Sequence, residues 1–423
     1  MWMLNRVVKA GSGVLAFLCL VVSAAAQDLN LADMIDEALR NNPEIRASGA
    51  RIEAARYRIP QAKSLPDPML MFGYQNEGFN RYTYGEMEGA QWMFSASQQF
   101  FFPGKRVLKG EMAVRDAESL EVMHELLKLK IAARIQELYF DLFYAYKNID
   151  LLAGKRDLLV KIEALTLSRY GAAKAMQQEV LMAQTEKYML MEKEEMFRQK
   201  IQSIEAMIGA VLGRKQGTFF GRPRDPAYRP FLTDADQAVK LALEHSPEIT
   251  SRNKMIDAAQ AKLRMAEREY YPDFEVNASY FNRSGDFKDM WSATTTINIP
   301  LYYATKQKPA VLEAKAALAQ AQGELEAAKL MIAAAVRDNL AMVRSADRLM
   351  DLYKGALIPR NAQEVELALS GYATGRTEAA FVISQVKTLL DYETLYWGQF
   401  TERGKAIARL HAITAAALGG EKE

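Results

Sequence analysis

The sequence predicts a mixed α/β membrane protein, mainly long α-helices in coiled-coil stalks with four β-strands per chain, carrying an internal tandem duplication. Three observations predict it. The segment at 41–63 recurs at 245–267, helical patterns run far beyond the length of a globular helix, and four stretches alternate strictly between apolar and polar residues.

The N-terminus stands apart from the rest. Arg6 and Lys9 precede an apolar run from Val14 to Val22, and Ala24-Ala25-Ala26 follows. A basic start, a short apolar stretch and an Ala-x-Ala site predict a secretory signal peptide over 1–26, cut before Gln27. The run is too short to span a bilayer as an anchor. Cys19, the one cysteine, lies inside it, and the preceding Leu18 is not the small residue that lipid attachment needs. The mature chain therefore has no thiol, which excludes disulfides and cysteine catalysis. Loss of Arg6 and Lys9 takes the formal charge from +2 to 0 and offers nothing to a nucleic acid. No later stretch is apolar enough for a membrane helix, so any membrane contact falls to strands or an interfacial helix.

The duplication comes next. NNPEIRASGARIEAARYRIPQAK (41–63) recurs as HSPEITSRNKMIDAAQAKLRMAE (245–267). Pro66-Asp67 answers Pro272-Asp273, Trp92 answers Trp291, Ile131 answers Ile332, and Ser168-Arg169-Tyr170 answers Ser370-Gly371-Tyr372. So many landmarks in one register predict two copies, 27–212 and 232–415. They are separated by a Gly-, Pro- and Arg-rich linker at 213–231 and followed by a tail at 416–423. Each copy reads as an opening helical stretch (31–64, 232–270), two strands around a polar loop, a very long helix, a glycine-containing turn and a returning helix.

The long helices follow from composition. No proline occurs between Pro103 and Pro223, and Ala, Leu, Glu, Lys, Met and Gln dominate that span. A helix from Lys105 to Ser168 would reach roughly 90 Å at 1.5 Å per residue. Its partner from Pro309 to Ser370 is interrupted near Gly355 and Pro359, and Gly154 lies at nearly the same place in the first copy. A break in both copies is expected there.

The strands carry the most information. Leu70, Phe72 and Tyr74 oppose Met71, Gly73 and Gln75, and Trp92, Phe94 and Ala96 oppose Ser95, Ser97 and Gln99. Phe274, Val276, Ala278 and Tyr280 oppose Glu275, Asn277 and Ser279; Trp291, Ala293, Ile297 and Ile299 oppose Ser292, Thr294, Thr296 and Asn298. Such alternation gives one apolar and one polar face. A soluble sandwich alternates in the same way, but here aromatics crowd the strand ends, as in the girdles of an outer-membrane barrel. Phe72, Trp92, Phe94, Val276, Trp291 and Ile297 are thus expected on a lipid face. Four strands cannot close a barrel, and an open sheet in lipid leaves backbone groups unpaired at several kcal/mol each. Closure would need several chains; two give eight strands, three give twelve, and the pattern does not choose. The loops at 77–90 and 283–290 then face the cell exterior and the helices the periplasm.

In order and twice over, these residues resemble the TolC-like outer-membrane efflux protein family across 28–415. The resemblance rests on Pro43 and Pro247, the Pro-Asp strand starts, the strand exit SQQFFFPGKR (97–106), and the helix tips YGAAK (170–174) and YATGR (372–376). It implies a homotrimer with a twelve-stranded barrel and a twelve-helix periplasmic tunnel, working with a periplasmic adaptor and an inner-membrane pump. The implied function is passive export through the outer membrane of a Gram-negative bacterium. Tyr170, Gly171, Lys174, Tyr372, Gly375 and Arg376 become adaptor-docking and gate positions, with Glu179 and Glu378 as aperture acids. The second tip departs from the family, having Phe381 and Ser384 where acids often sit. The strand exit resembles the heavy-metal branch of resistance-nodulation-division systems; drug efflux and type I secretion stay open. A periplasmic coiled-coil scaffold is the reading from another class.

Other signals carry no chemistry. His124, His245 and His411 have no ligand spacing, Pro103-Gly104-Lys105 lacks the spacing of a phosphate loop, and Met182, Met189, Met191 and Met196 read as helix packing. No cofactor, metal or catalytic group is expected, and so no enzyme.

Overall fold

The computed structural model describes residues 29–415 apart from 216, 218, 219, 229, 232 and 233, so the expected signal peptide (1–26) and tail (416–423) lie outside the described residues. The first half runs α1 (Leu31–Asn41), α2 (Pro43–Lys63), β1 (Met69–Gln75), β2 (Gln91–Phe100), α3 (Lys105–Gly171) and α4 (Gln177–Leu212). The second runs α5 (Ala235–His245), α6 (Pro247–Arg268), β3 (Asp273–Asn282), β4 (Met290–Asn298), α7 (Gln307–Leu352), a π-turn (Tyr353–Leu357), α8 (Ile358–Thr374) and α9 (Ala379–Thr414).

Each opening stretch is two helices rather than one. Asn42 ends α1 and restarts the chain, its Oδ1 accepting from the Glu44 and Ile45 amides at 2.8 and 3.1 Å. Pro43 takes the first helical position, where a missing N–H costs nothing. Ser246 and Pro247 occupy the same places in the second half.

The expected break at Gly154 does not occur: α3 runs 67 residues through it. Only the second half is interrupted. The π-turn lies just ahead of Pro359, which has no N–H to give the Gly355 carbonyl one turn back and whose ring crowds that carbonyl. The first half has Leu158 at the corresponding place, and a lone glycine is tolerated within a helix.

The four strands form one antiparallel sheet in the order β1-β2-β3-β4. Where β2 hands over to α3, the buried Lys105 meets Asp273 at 2.9 Å and Glu269 at 3.3 Å, and the Phe102 amide donates to the same Asp273 oxygen at 2.8 Å. Gly104 turns the chain there at φ +94°, against the Arg268 guanidinium. The Pro-Gly-Lys triplet is a strand-to-helix joint.

Half-way along the helices each half holds its own core. One gathers Ile135, Leu138 and Leu142 with Ile204 and Ile208; the other gathers Val336, Leu340 and Val343 with Ala406 and Leu410. Toward the tips the halves share one core, Leu152, Leu159 and Ile162 of α3 meeting Val365, Val382 and Val386 of α8 and α9. Among the described residues no helix is long and apolar enough to cross a membrane.

Candidate functional site: the sheet wall and the helix tips

Strand register converts the alternation into rows. Phe72, Phe94, Tyr280 and Trp291 face one another across all four strands. The neighbouring row is Leu70, Ala96, Ala278 and Ala293; further along Val276 stands between Gln98 and Thr295, and then come Phe100, Phe274 and Ile297. Phe72, Phe94, Val276, Trp291 and Ile297 are all exposed in the chain. Trp92 sits at the rim, stacked on Phe72 at 5.2 Å and beside Tyr74 at 5.0 Å. The Tyr280 hydroxyl bonds to Asp289 and the Tyr84 hydroxyl to Asn282, which leaves the apolar bodies of these rings facing out below a polar rim.

The opposite face is polar on β2, β3 and β4 through Ser97, Asn277 and Thr294, then Ser95, Ser279 and Ser292, while Met69 and Met71 of β1 complete those two rows. Two details differ from the expectation. Ser95 and Ser97 are buried within the chain, Ser95 Oγ accepting from Asn277 Nδ2 at 3.2 Å, because short side chains sink between longer neighbours. The row nearest the loops breaks the alternation with Gly73, Met93, Phe281 and Met290. At the two sides of the sheet, β1 and β4 each present an edge without a strand partner among the described residues.

At the far end of the helices the two tips are unlike. The first closes with the Lys174 amide donating to the Arg169 carbonyl at 2.7 Å and Ala173 at φ 57°. The second closes on Gly375 at φ 79°, with the Arg376 amide donating to the Gly371 carbonyl at 2.8 Å. Tyr170, Gly171, Lys174, Gly375, Arg376 and Glu378 are exposed, whereas Tyr372 is 1% exposed.

Arg169 joins the tips. Its Nη1 donates to the Tyr372 carbonyl at 2.7 Å, its Nη2 to the Lys174 carbonyl at 3.2 Å, and its guanidinium lies 4.8 Å from the centre of the Tyr372 ring. Glu179 works beside it, accepting from the Met176 amide at 3.3 Å and from the Ala379 amide of the other half at 3.4 Å. Burial, and then the facing Glu179 carboxylate, push the Tyr372 phenol up to about 12. The phenol therefore stays protonated at neutral pH. Arg169 was not among the residues singled out from sequence; the signal was its place in Ser168-Arg169-Tyr170, where the second half has glycine. The structure brings Glu179 to Tyr372 and leaves Glu378 apart as the N-cap residue of α9.

Known proteins agree with this geometry. The profile of the family described as "Outer membrane efflux protein" matches residues 34–214 and 238–392. The outer membrane protein OprJ of Pseudomonas aeruginosa is 23% identical over 381 residues, covering 82% of this chain and 76% of OprJ. The outer membrane protein VceC of Vibrio cholerae superposes with a TM-score of 0.78 at 17% identity, over 93% of this chain and 98% of VceC. CusC, described with the folding and transmembrane channel formation it undergoes, gives 0.76 at 15% identity over 93% of both chains. At these identities the superpositions establish the fold.

Proposed function

The chain belongs to the outer membrane efflux protein family and is a protein of the Gram-negative outer membrane, and from that premise we propose that three copies form the exit duct of a tripartite pump. The observation that carries the assembly is the sheet: four strands, one apolar face, and two edges without a strand partner among the described residues. In lipid those edges need partners, and copies of the same chain supply them, β4 of one against β1 of the next. Three copies make a twelve-stranded wall wide enough for a lumen. The two halves are then products of a tandem duplication, and the helices continue the wall into the periplasm.

The tips are the periplasmic end of this duct. Tyr170, Gly171, Lys174, Gly375 and Arg376 offer exposed groups to an adaptor, and the Arg169–Tyr372–Glu179 cluster holds the two hairpins of each chain together as the resting gate. Glu378 remains an aperture acid in this reading, while Glu179 is engaged in capping both returning helices. Export is passive, driven by the inner-membrane partner. The cargo is whatever that partner delivers; heavy-metal cations are supported by the strand exit at 97–106 alone, and metal sensitivity of a deletion strain tests that point.

The wall assignment is tested by paired substitutions. Phe94→Arg places a charge on the lipid face and is expected to cost about 2–4 kcal/mol near mid-bilayer, whereas Thr294→Arg, exposed on the other face, enters water. Heat-resistant oligomer recovered from outer membranes should collapse for the first and persist for the second. Equal recovery would sink the facing, and a water-soluble monomer would sink the duct.

A further inference from the structure

A cleft of about 420 Å³ opens half-way along the bundle, between α3, the start of α6, α7 and the end of α9. Leu126, Ile332 and Ile413 make its walls. Asn339 also lines it and is 6% exposed. The Asn339 Nδ2 donates to the Ala335 carbonyl at 2.7 Å, while Oδ1 has no partner among the described residues. Turning the amide over would set its oxygen against that carbonyl, so the acceptor is the free end. A buried acceptor left unpaired costs free energy comparable to a lost hydrogen bond, and such a group calls for a donor.

The first half shows that the fold does not require this residue. IAARIQELYF (131–140) and IAAAVRDNLA (332–341) run in register, which sets Leu138 opposite Asn339. Leu138 is 1% exposed in its core, and the flanking pairs Ile135 with Val336 and Leu142 with Val343 are apolar and fully buried in both halves. Between those pairs a buried leucine of the first half is answered by a carboxamide in the second. The charges around the cleft favour an anion: Lys130, Arg134 and Arg409 against Glu137 and Glu248. Arg409 and Glu137 neutralise each other, and Lys130 is exposed with no ion-pair partner among the described residues.

We propose that this cleft binds one small amphiphile, an apolar body whose hydroxyl or N–H donates to Asn339 Oδ1 and whose carboxylate meets Lys130. A volume of this size suits a small molecule, and an apolar wall with a few converging polar groups is the usual make-up of such a site. Because α3 belongs to one half and α7 to the other, the ligand would touch both.

The test uses the whole protein in lipid nanodiscs, with 8-hydroxyoctanoate, octanoate and 1,8-octanediol as probes and calorimetry as the readout. The hydroxy acid should bind the native chain at least about tenfold tighter than octanoate, as expected when a buried acceptor is otherwise left unpaired. Asn339→Leu, which copies the first half, should bring the hydroxy acid down to the octanoate level with the fold and oligomer intact. Lys130→Met should weaken both acids several-fold and leave the diol unchanged. Ile413→Trp, filling the cleft from α9, should abolish binding and serves should Asn339→Leu fail to fold. Unchanged binding in the leucine or tryptophan variant, octanoate matching the hydroxy acid, or no binding to the native chain would each overturn the proposal.

Discussion

The two halves follow one order of elements and differ in how they end. In the first, α3 runs unbroken from the sheet to its tip, where Tyr170 is 46% exposed. In the second, the π-turn divides α7 from α8, and Tyr372 at the matching tip is 1% exposed, beneath the Arg169 guanidinium. The same tyrosine-led motif is thus a surface group in one half and a core group in the other. The lesson is that a repeated motif fixes a turn, while its neighbours decide what the motif does. Arg169 stands where the second half has Gly371, and that one difference makes the first tip the donor and the second the acceptor.

The largest expected effect separates the tyrosines. Tyr372→Ala removes a fully buried ring from the shared core and should cost about 3–5 kcal/mol, the range for large aromatic truncations. Tyr170→Ala, at an exposed site, should stay within about 0.5 kcal/mol. Thermal unfolding followed by circular dichroism reads both, and similar losses would remove the asymmetry.

Arg169 comes second. Its alanine variant loses two bonds from a charged donor, worth about 1.5–3 kcal/mol for a single such hydrogen bond, as well as the ring contact. Arg169→Lys should not rescue it, since one ammonium cannot span two carbonyls and stack on a ring. Single-channel recording should show larger or more frequent openings in Arg169→Ala than in Lys174→Ala, whose side chain is exposed. Matching traces would show that the clasp does not hold the tips.

A smaller effect is read against pH. The Tyr372 phenol titrates near 12 in the folded chain against 10.0 for a free one, so the folded state favours the protonated form. That contribution is whole below pH 10 and is lost as pH rises through the window up to about 12. Tyr372→Phe should flatten this alkaline limb of tip stability, measured by hydrogen exchange at 368–380. An unaltered limb would assign it to other groups.

Much of this was legible in the sequence, and for identifiable reasons. The alternation read across 92–99 and 274–280 falls inside β2 and β3, because period-two alternation is local information. The length of α3 was legible from the absence of proline. The splits at Asn42 and Ser246 were carried by a capping-type residue followed by proline, a short signal set within a long helical pattern, and of the two only the Asn42 side chain caps its helix. Tip burial was not legible, since Tyr170 and Tyr372 sit in nearly the same local sequence and only packing of α8 against α3 and α9 tells them apart. The bridge from Lys105 to Asp273 links positions far apart in the chain, which no local pattern encodes.

The last and smallest difference concerns the glycines, and it decides what causes the π-turn. A methyl at Gly154 or Gly355 would meet nothing within 4 Å. Gly154→Ala lies in a regular helix and should stabilise the first half by about 0.4–1 kcal/mol through the unfolded chain. If Pro359 causes the π-turn, Gly355→Ala cannot close it and should gain less, whereas Pro359→Ala restores the missing N–H and lets α7 run into α8 as α3 runs past Leu158. Hydrogen exchange across 353–359 separates the cases: slowed exchange in Pro359→Ala alone supports the proline, and slowed exchange in Gly355→Ala assigns the turn to glycine instead. In the first event the two halves differ by one residue's lack of a donor, and a continuous second helix becomes attainable by a single substitution.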